Sequence, residues 1–261
     1  EEFIERVIAV SAMLQAGSPK ELAGMTPEQL LALALDPAAT EPMRFFAAKQ
    51  LCEGKPDDAA IDKLLAANGN LVPMIALDSL TTPESVAAHV GQFTRLPKYV
   101  PQYGPWTAPV SGAMRRGGPA AVSALLEYIK NNPADARVGI DILFDTPGKN
   151  ADEALLAIMN DATLPDERRF QAAGLLGWRT NAGAPAKDAV LAYLLPLLND
   201  VNMRRGAATA LHPRYVYQHG LWWKELRVLE AAKAALAAEQ AQPEPDKAFI
   251  AVLEKIVKGQ P

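Results

Sequence analysis

Asp141 and Asp145 stand one helical turn apart, a spacing that puts two carboxylates on one helix face and could serve as an acid/base pair. No neighbouring residue marks either carboxyl for a shifted pKa, so a solvated helix face is the expectation. His212 and His219 lie seven apart, and with His89 they are all the histidines of the chain. Three so scattered imply no metal site, and a surface or capping role is expected for the pair. Cys52 is the only cysteine. An intrachain disulfide is therefore excluded, and its place in the helical pattern FFAAKQLCE suggests a buried structural thiol. Gly148-Lys149 is followed by Asn150 and has Leu143 where a phosphate-binding loop needs its first glycine; GxSxG, SxxK and HExxH do not occur. These residues predict neither a catalytic group nor a cofactor.

Aromatic residues make a stronger signal. In RLPKYVPQYGPWTAP, residues 95 to 109, prolines fall at 97, 101, 105 and 109, with Tyr99, Tyr103 and Trp106 between them. In HPRYVYQHGLWW, residues 212 to 223, Tyr215, Tyr217, Trp222 and Trp223 accompany a Pro/Gly-punctuated turn. These 27 residues hold seven of the chain's 17 aromatics. Cations lie close by: Arg95, Lys98, Arg115 and Arg116 near the first, Arg214 and Lys224 near the second. Such rings can brace a long loop over the helical frame. They are also, with arginine, the side chains that most often carry binding energy at interfaces. A proline-spaced segment is partly preorganised and loses less entropy on docking. The candidate partner contacts are Tyr99, Tyr103, Trp106, Arg115, Arg116, Arg214, Tyr215, Tyr217 and Trp222.

Composition sets the frame for these loops. In 261 residues, 49% are hydrophobic, much of that alanine and leucine, which points to an all-α protein. The net charge of −4, from 26 basic and 30 acidic residues well mixed along the chain, argues against a nucleic-acid partner, which needs a basic footprint. No stretch approaches the ~20 continuous apolar residues of a membrane span, so no direct membrane insertion is expected. The opening EEFIERV lacks a methionine; with the single cysteine this favours an exported or periplasmic place over a cytoplasmic one.

Internal similarity is the most informative feature. LLALALDPAATEPMRFFAAKQL (30–51) aligns without a gap to LLAIMNDATLPDERRFQAAGLL (155–176). Each has a Leu-rich helix, an aspartate (Asp36, Asp161), an arginine eight positions later (Arg44, Arg169) and then R-F-x-A-A-x-x-L. LAYLLPLLNDVNMRRGAATALH is a third copy, with Asp200 and Arg204, and LLEYIKNNPADARVGIDILF a weaker fourth, with Arg137 in the arginine place. The arginines at 137, 169 and 204 are 32 and 35 residues apart, the length of two short helices and their turns. Ala172, Ala173 and Gly174 would let a neighbouring helix approach closely. A unit of this kind cannot bury its apolar face alone, so copies must stack into a solenoid.

The pattern, over 26–53 and about 119–211, resembles the HEAT-repeat family, in which an Asp-containing turn precedes a second helix with an early arginine. The resemblance implies an all-α, right-handed α-solenoid of helix pairs, with Asp36, Arg44, Asp161, Arg169, Asp200 and Arg204 as scaffold residues. HEAT-like iron hydroxylases carry His-Glu pairs, which this chain lacks; HEAT-like DNA glycosylases use a basic face, which the acidic balance weakens; nothing selects a phycobilin lyase.

The expected elements are a helix over 2–16, helices at 27–36, 41–53, 57–69 (ending at Gly69), 71–80 and 83–94, and a Pro/aromatic-rich inserted loop at 95–112. Four helix pairs follow, with AQPEP as the turn before the last helix. One domain spans 1–261. The expected function is that of a non-catalytic scaffold or accessory subunit binding another protein through the solenoid surface and the two aromatic loops. The alternative is a small-ligand-binding protein or enzyme with a pocket between the 95–112 and 212–223 loops, where His212 and His219 would titrate.

Overall fold

Helix starts are written locally in this chain. Thr26 and Gln29 exchange side-chain and backbone hydrogen bonds in a capping box, with Pro27 at the first helical position. Thr82 and Ser85 repeat the device before Pro83. The Asp57 carboxylate accepts from the Ala60 N–H at 2.8 Å, and Asp246 accepts from Ala248 and Phe249. At the other end of the chain Gly259, at φ 62°, closes the last helix in the left-handed region that glycine tolerates.

The computed structural model describes residues 17–67, 71–96, 107–179, 184–212 and 225–259. Among these it is all-α. The helices are α1 (Pro27–Leu35), α2 (Glu41–Glu53), α3 (Asp58–Leu65), α4 (Val72–Ser79), α5 (Pro83–Phe93), α6 (Thr107–Asn131), α7 (Ala136–Asp145), α8 (Lys149–Asn160), α9 (Asp166–Trp178), α10 (Ala184–Leu197), α11 (Arg204–Leu211), α12 (Leu226–Gln240) and α13 (Lys247–Lys258). The expected boundaries from 27 to 94 hold to within a residue or two, apart from the third helix, which stops at Leu65. The helix expected at 2–16, the cap expected at Gly69 and the stretch 97–106 lie outside the described residues. One part of the expected loop is corrected: residues 107–112 are helical, the start of α6. Pro109 is tolerated there because it stands in the first turn, where no intrahelical acceptor awaits its missing N–H. Farther on, Gly118 (φ 53°, ψ −140°) precedes Pro119 and breaks the helical path of α6.

By contacts the chain divides into two compact units, meeting in sequence between Ala121 and Val122. In the first, α1 packs on α2 and α3, α2 on α4, and α3 on α4 and α5. In the second, α7, α9, α11 and α13 touch in turn along one row and α8, α10 and α12 along the other, and across the rows α7 meets α8, α9 meets α8 and α10, α10 meets α11, and α12 meets α13. Apolar side chains close each interior, Leu64, Leu77 and Phe93 in the first unit and Ile140, Leu155, Leu176 and Leu253 in the second.

The repeated aspartate and arginine have a repeated geometry. Asp36, Asp161 and Asp200 each accept, through Oδ1, the backbone N–H two residues on, at 2.8, 3.0 and 2.8 Å. Thr163 adds its hydroxyl to Asp161 and, with the Thr163 N–H, holds that carboxyl below its ordinary pKa. Arg44 Nε donates to the Ala34 carbonyl at 3.2 Å, and Arg169 Nε to the Met159 carbonyl at 3.1 Å, ten residues back in both cases. Arg204 departs from this: its guanidinium pairs with Glu239, which is buried and also accepts from the Asp246 N–H at 2.7 Å. All six residues serve the frame.

Asp141 is a correction. It is 8% exposed, and it accepts from Gln171 Nε2 of α9 at 3.0 Å, where a solvated face was expected. Asp145, on the same helix, is half-buried. The cause is tertiary: α9 covers the α7 face that the sequence left polar.

Two glycines set the spacing of α9 and α11. A β-carbon on Gly174 would lie 3.0 Å from the Ala210 carbonyl oxygen, and one on Gly206 would lie 2.3 Å from Cε2 of Phe170. Alanine at 206 should gain about 1 kcal/mol in helix propensity and lose about 1–3 kcal/mol to overpacking against the Phe170 ring. Gly206→Ala is therefore expected to lower stability, as read from the urea midpoint; a raised midpoint would show that the two helices are not held this close.

Candidate functional site

Along α9, Arg168, Gln171, Leu175 and Trp178 recur at helical spacing and line one groove of about 390 Å3. Arg137, in the first turn of α7, borders it on one side. Arg205, Gly206, Thr209 and Ala210 of α11 border it on the other. The floor is apolar and close-packed, with Phe170, Leu175 and Trp178 at 9%, 3% and 6% exposure. Gln171 ties the floor to α7 by donating to the Arg137 carbonyl and to Asp141, both at 3.0 Å.

The rim of this groove is cationic. Arg137 is exposed, and its guanidinium has no hydrogen-bond or ion-pair partner among the described residues. Arg168 meets only the adjacent Glu167, at 3.2 Å, and that carboxylate is 80% exposed. Arg205, 67% exposed, donates through Nε to Asp246, and the ion pair with Asp246 raises its pKa. Planar guanidiniums over an aromatic floor suit flat, anionic groups such as carboxylates, which they bind in a forked geometry.

A second groove, of about 720 Å3, lies in the first unit among the ends of α2 and α4 and the starts of α3 and α5. His89 is 3% exposed there and meets two carboxylates of α3, Asp62 at 2.9 Å from Nδ1 and Asp58 at 3.4 Å from Nε2. These contacts join α3 to α5. Cys52 also lines the groove and is half-buried where full burial was expected. Burial pushes its thiol pKa up, only partly offset by a hydrogen bond with Ser79.

Of the residues singled out from the sequence, Arg115 lies exposed on α6. Arg116 is half-buried and donates to the Leu77 and Leu80 carbonyls at 2.6 and 2.9 Å, closing the carboxyl end of α4. Tyr99, Tyr103, Trp106, Arg214, Tyr215, Tyr217 and Trp222 lie outside the described residues, as does His219. His212 stands half-buried at the carboxyl end of α11.

The sequence reading missed the groove arginines, although they carry a signal. Two sit in doublets, Arg168-Arg169 and Arg204-Arg205, in which one arginine serves the frame and its neighbour faces the groove. Among the described residues no helix is long and apolar enough to cross a membrane, and no group of three or more His, Cys, Asp or Glu could hold a metal ion. Compared with protein-family models, curated proteins and solved structures, the chain matches none.

The raised thiol pKa leaves little thiolate on Cys52 at neutral pH. Iodoacetamide is expected to modify the native protein more slowly than the urea-unfolded chain at pH 7.5–8, by about tenfold or more. Mass spectrometry against time gives both rates, and equal rates would mean an accessible thiol of ordinary acidity.

Proposed function

We propose that the chain is a non-catalytic scaffold or accessory subunit, each unit a right-handed HEAT-like α-solenoid, that binds another protein along the α7–α9–α11 face. The observation that carries this reading is the groove along α9, an aromatic floor beneath three arginines, on the row of second helices. The repeated Asp turn and the two-row packing support the stacked-pair architecture. Repeat arrays of this kind use one row of helices as an extended binding surface. The aromatic residues Tyr99, Tyr103, Trp106, Tyr215, Tyr217 and Trp222, with Arg115, are proposed as further partner contacts.

The test is size-exclusion chromatography with light scattering on natively purified protein, with mass spectrometry of whatever co-elutes. The identified partner is then titrated against variants. Arg137→Glu with Arg168→Glu should weaken association about a hundredfold while the monomer stays folded. Loss through Tyr103→Ala with Trp106→Ala alone would move the contact to the loops. Association untouched by either pair would end the protein-binding reading for these surfaces.

A small-ligand reading has its own observation, the first-unit groove of about 720 Å3 beside His89 and Cys52. A ligand seated there at a hundred times its Kd should raise the Tm by about 5–10 °C. Thr81→Trp, at the exposed mouth of the groove, should erase that shift. A thermal-shift library screen with no such compound would remove the reading.

A further inference from the structure

We infer that the α7–α9–α11 groove takes an extended, acidic segment of the partner protein, its carboxylates on Arg137, Arg168 and Arg205 and an apolar side chain over Phe170 and Trp178. This rests on the protein-binding reading above and names the chemistry of what that surface holds.

Charge is the first argument. The chain as a whole carries a net −4, yet three arginines and a single carboxylate, Glu167, line this groove. Asp246 behind Arg205 offsets one of these cations, and the lining still carries more positive than negative side chains, opposite to the sign of the molecule, so a complementary partner presents acid there.

The second argument is that these arginines retain donors. The Arg137 side chain has no partner among the described residues. Arg168 is held by an exposed neighbouring carboxylate, a contact of the kind that contributes little and exchanges readily. Arg205 uses Nε on Asp246, and its terminal nitrogens make no hydrogen bond among the described residues. By contrast Arg169 and Arg204, their immediate neighbours, are held by frame contacts and stack on Tyr193 and Phe249.

Length is the third. From Arg168 to Trp178 α9 rises by about 15 Å, which an extended chain covers in about five residues. Walls formed by one turn of α7 and two of α11 suit a strand-like segment lying along the helix. They offer too few cations to follow a polyphosphate backbone, which needs many phosphate contacts to bind well.

The experiment uses fluorescence anisotropy with the full chain and three labelled probes. One is a decapeptide of Asp and Glu around a central Phe, the second has Lys and Arg in the acidic places, and the third is a short single-stranded oligonucleotide. The acidic peptide should bind, and more weakly as salt rises. Arg137→Glu with Arg168→Glu should lower its affinity at least about tenfold. Lys233→Glu with Lys247→Glu makes the same charge change at exposed sites on α12 and α13 and should leave binding within about twofold. Circular dichroism and Tm confirm that both variants fold.

No binding of the acidic peptide overturns the inference, as does equal loss in the lysine control, or an oligonucleotide that binds more tightly and through the same arginines. The two readings fail separately. If the native partner loses affinity for the arginine variant while the acidic peptide never binds, protein binding at this groove stands and the acidic segment falls. If the peptide binds through these arginines and a co-purified partner ignores them, the groove's chemistry stands and the partner's place on it falls.

Discussion

The close approach of α9 to α11 is the contact on which the second unit's surface depends. Gly174 lies against the Ala210 backbone, and Gly206 under the edge of the Phe170 ring. Side chains at either place would clash, at 174 with a main-chain carbonyl that cannot yield and at 206 with the Phe170 ring, which would have to leave its packed position. The same missing side chains leave a trough above the seam, and longer residues on the flanks become its walls. Packing and the candidate site are thus two consequences of one small-residue pattern. Gly174, Ala172 and Ala173 announce it in the sequence; Arg137 and Arg205 line the space beside the seam.

Short helices impose a second constraint. Each ends with carbonyls that find no intrahelical donor, and the frame repeatedly supplies a guanidinium to them. Arg116 serves the end of α4, and Arg44 and Arg169 the ends of α1 and α8. Arg179 is the most buried case. It donates to the carbonyls of Leu143, Phe144, Thr146 and Gly148 while pairing with Asp152. A cation so enclosed is tolerable only because its charge is paired and both its terminal nitrogens donate. Lysine could not reproduce this, since one ammonium cannot span carbonyls spread from the end of α7 to the start of α8.

Element positions were legible because their signals are local: Thr26-Pro27, Thr82-Pro83 and the Asp turns are read within four residues. The repeat also foretold the small-residue contact at Gly174. What failed was whatever depended on partners distant in sequence. Asp141 looked solvated because Gln171, thirty residues on, is invisible to periodicity. His89 looked incidental because Asp58 and Asp62 lie on another helix, although their i,i+4 spacing put two carboxylates on one face. Pro109 read as a helix breaker because a first-turn proline and a loop proline look alike without the helix that follows. The aromatic clustering that drew the sequence reading fell largely on residues outside the described ones, while Arg168 and Arg205, beside the scaffold residues Arg169 and Arg204, were not singled out.

The two grooves differ in how far their polar groups are committed. In the first unit His89 is held at both nitrogens, Ser79 donates to the Ala76 carbonyl at 2.7 Å, and Cys52 is held largely protonated by burial. A ligand entering there must displace contacts that join α3 to α5. In the second unit the frame takes Arg169 and Arg204 and leaves the adjacent positions to the groove. Guanidiniums with donors to spare, set over a floor already desolvated by its own packing, would meet the proposed acidic segment without disrupting the frame. Binding free energy is larger where less has to be undone first. That difference in commitment, more than the volume of either groove, ranks the second unit's surface ahead of the first as the candidate for the proposed partner contact.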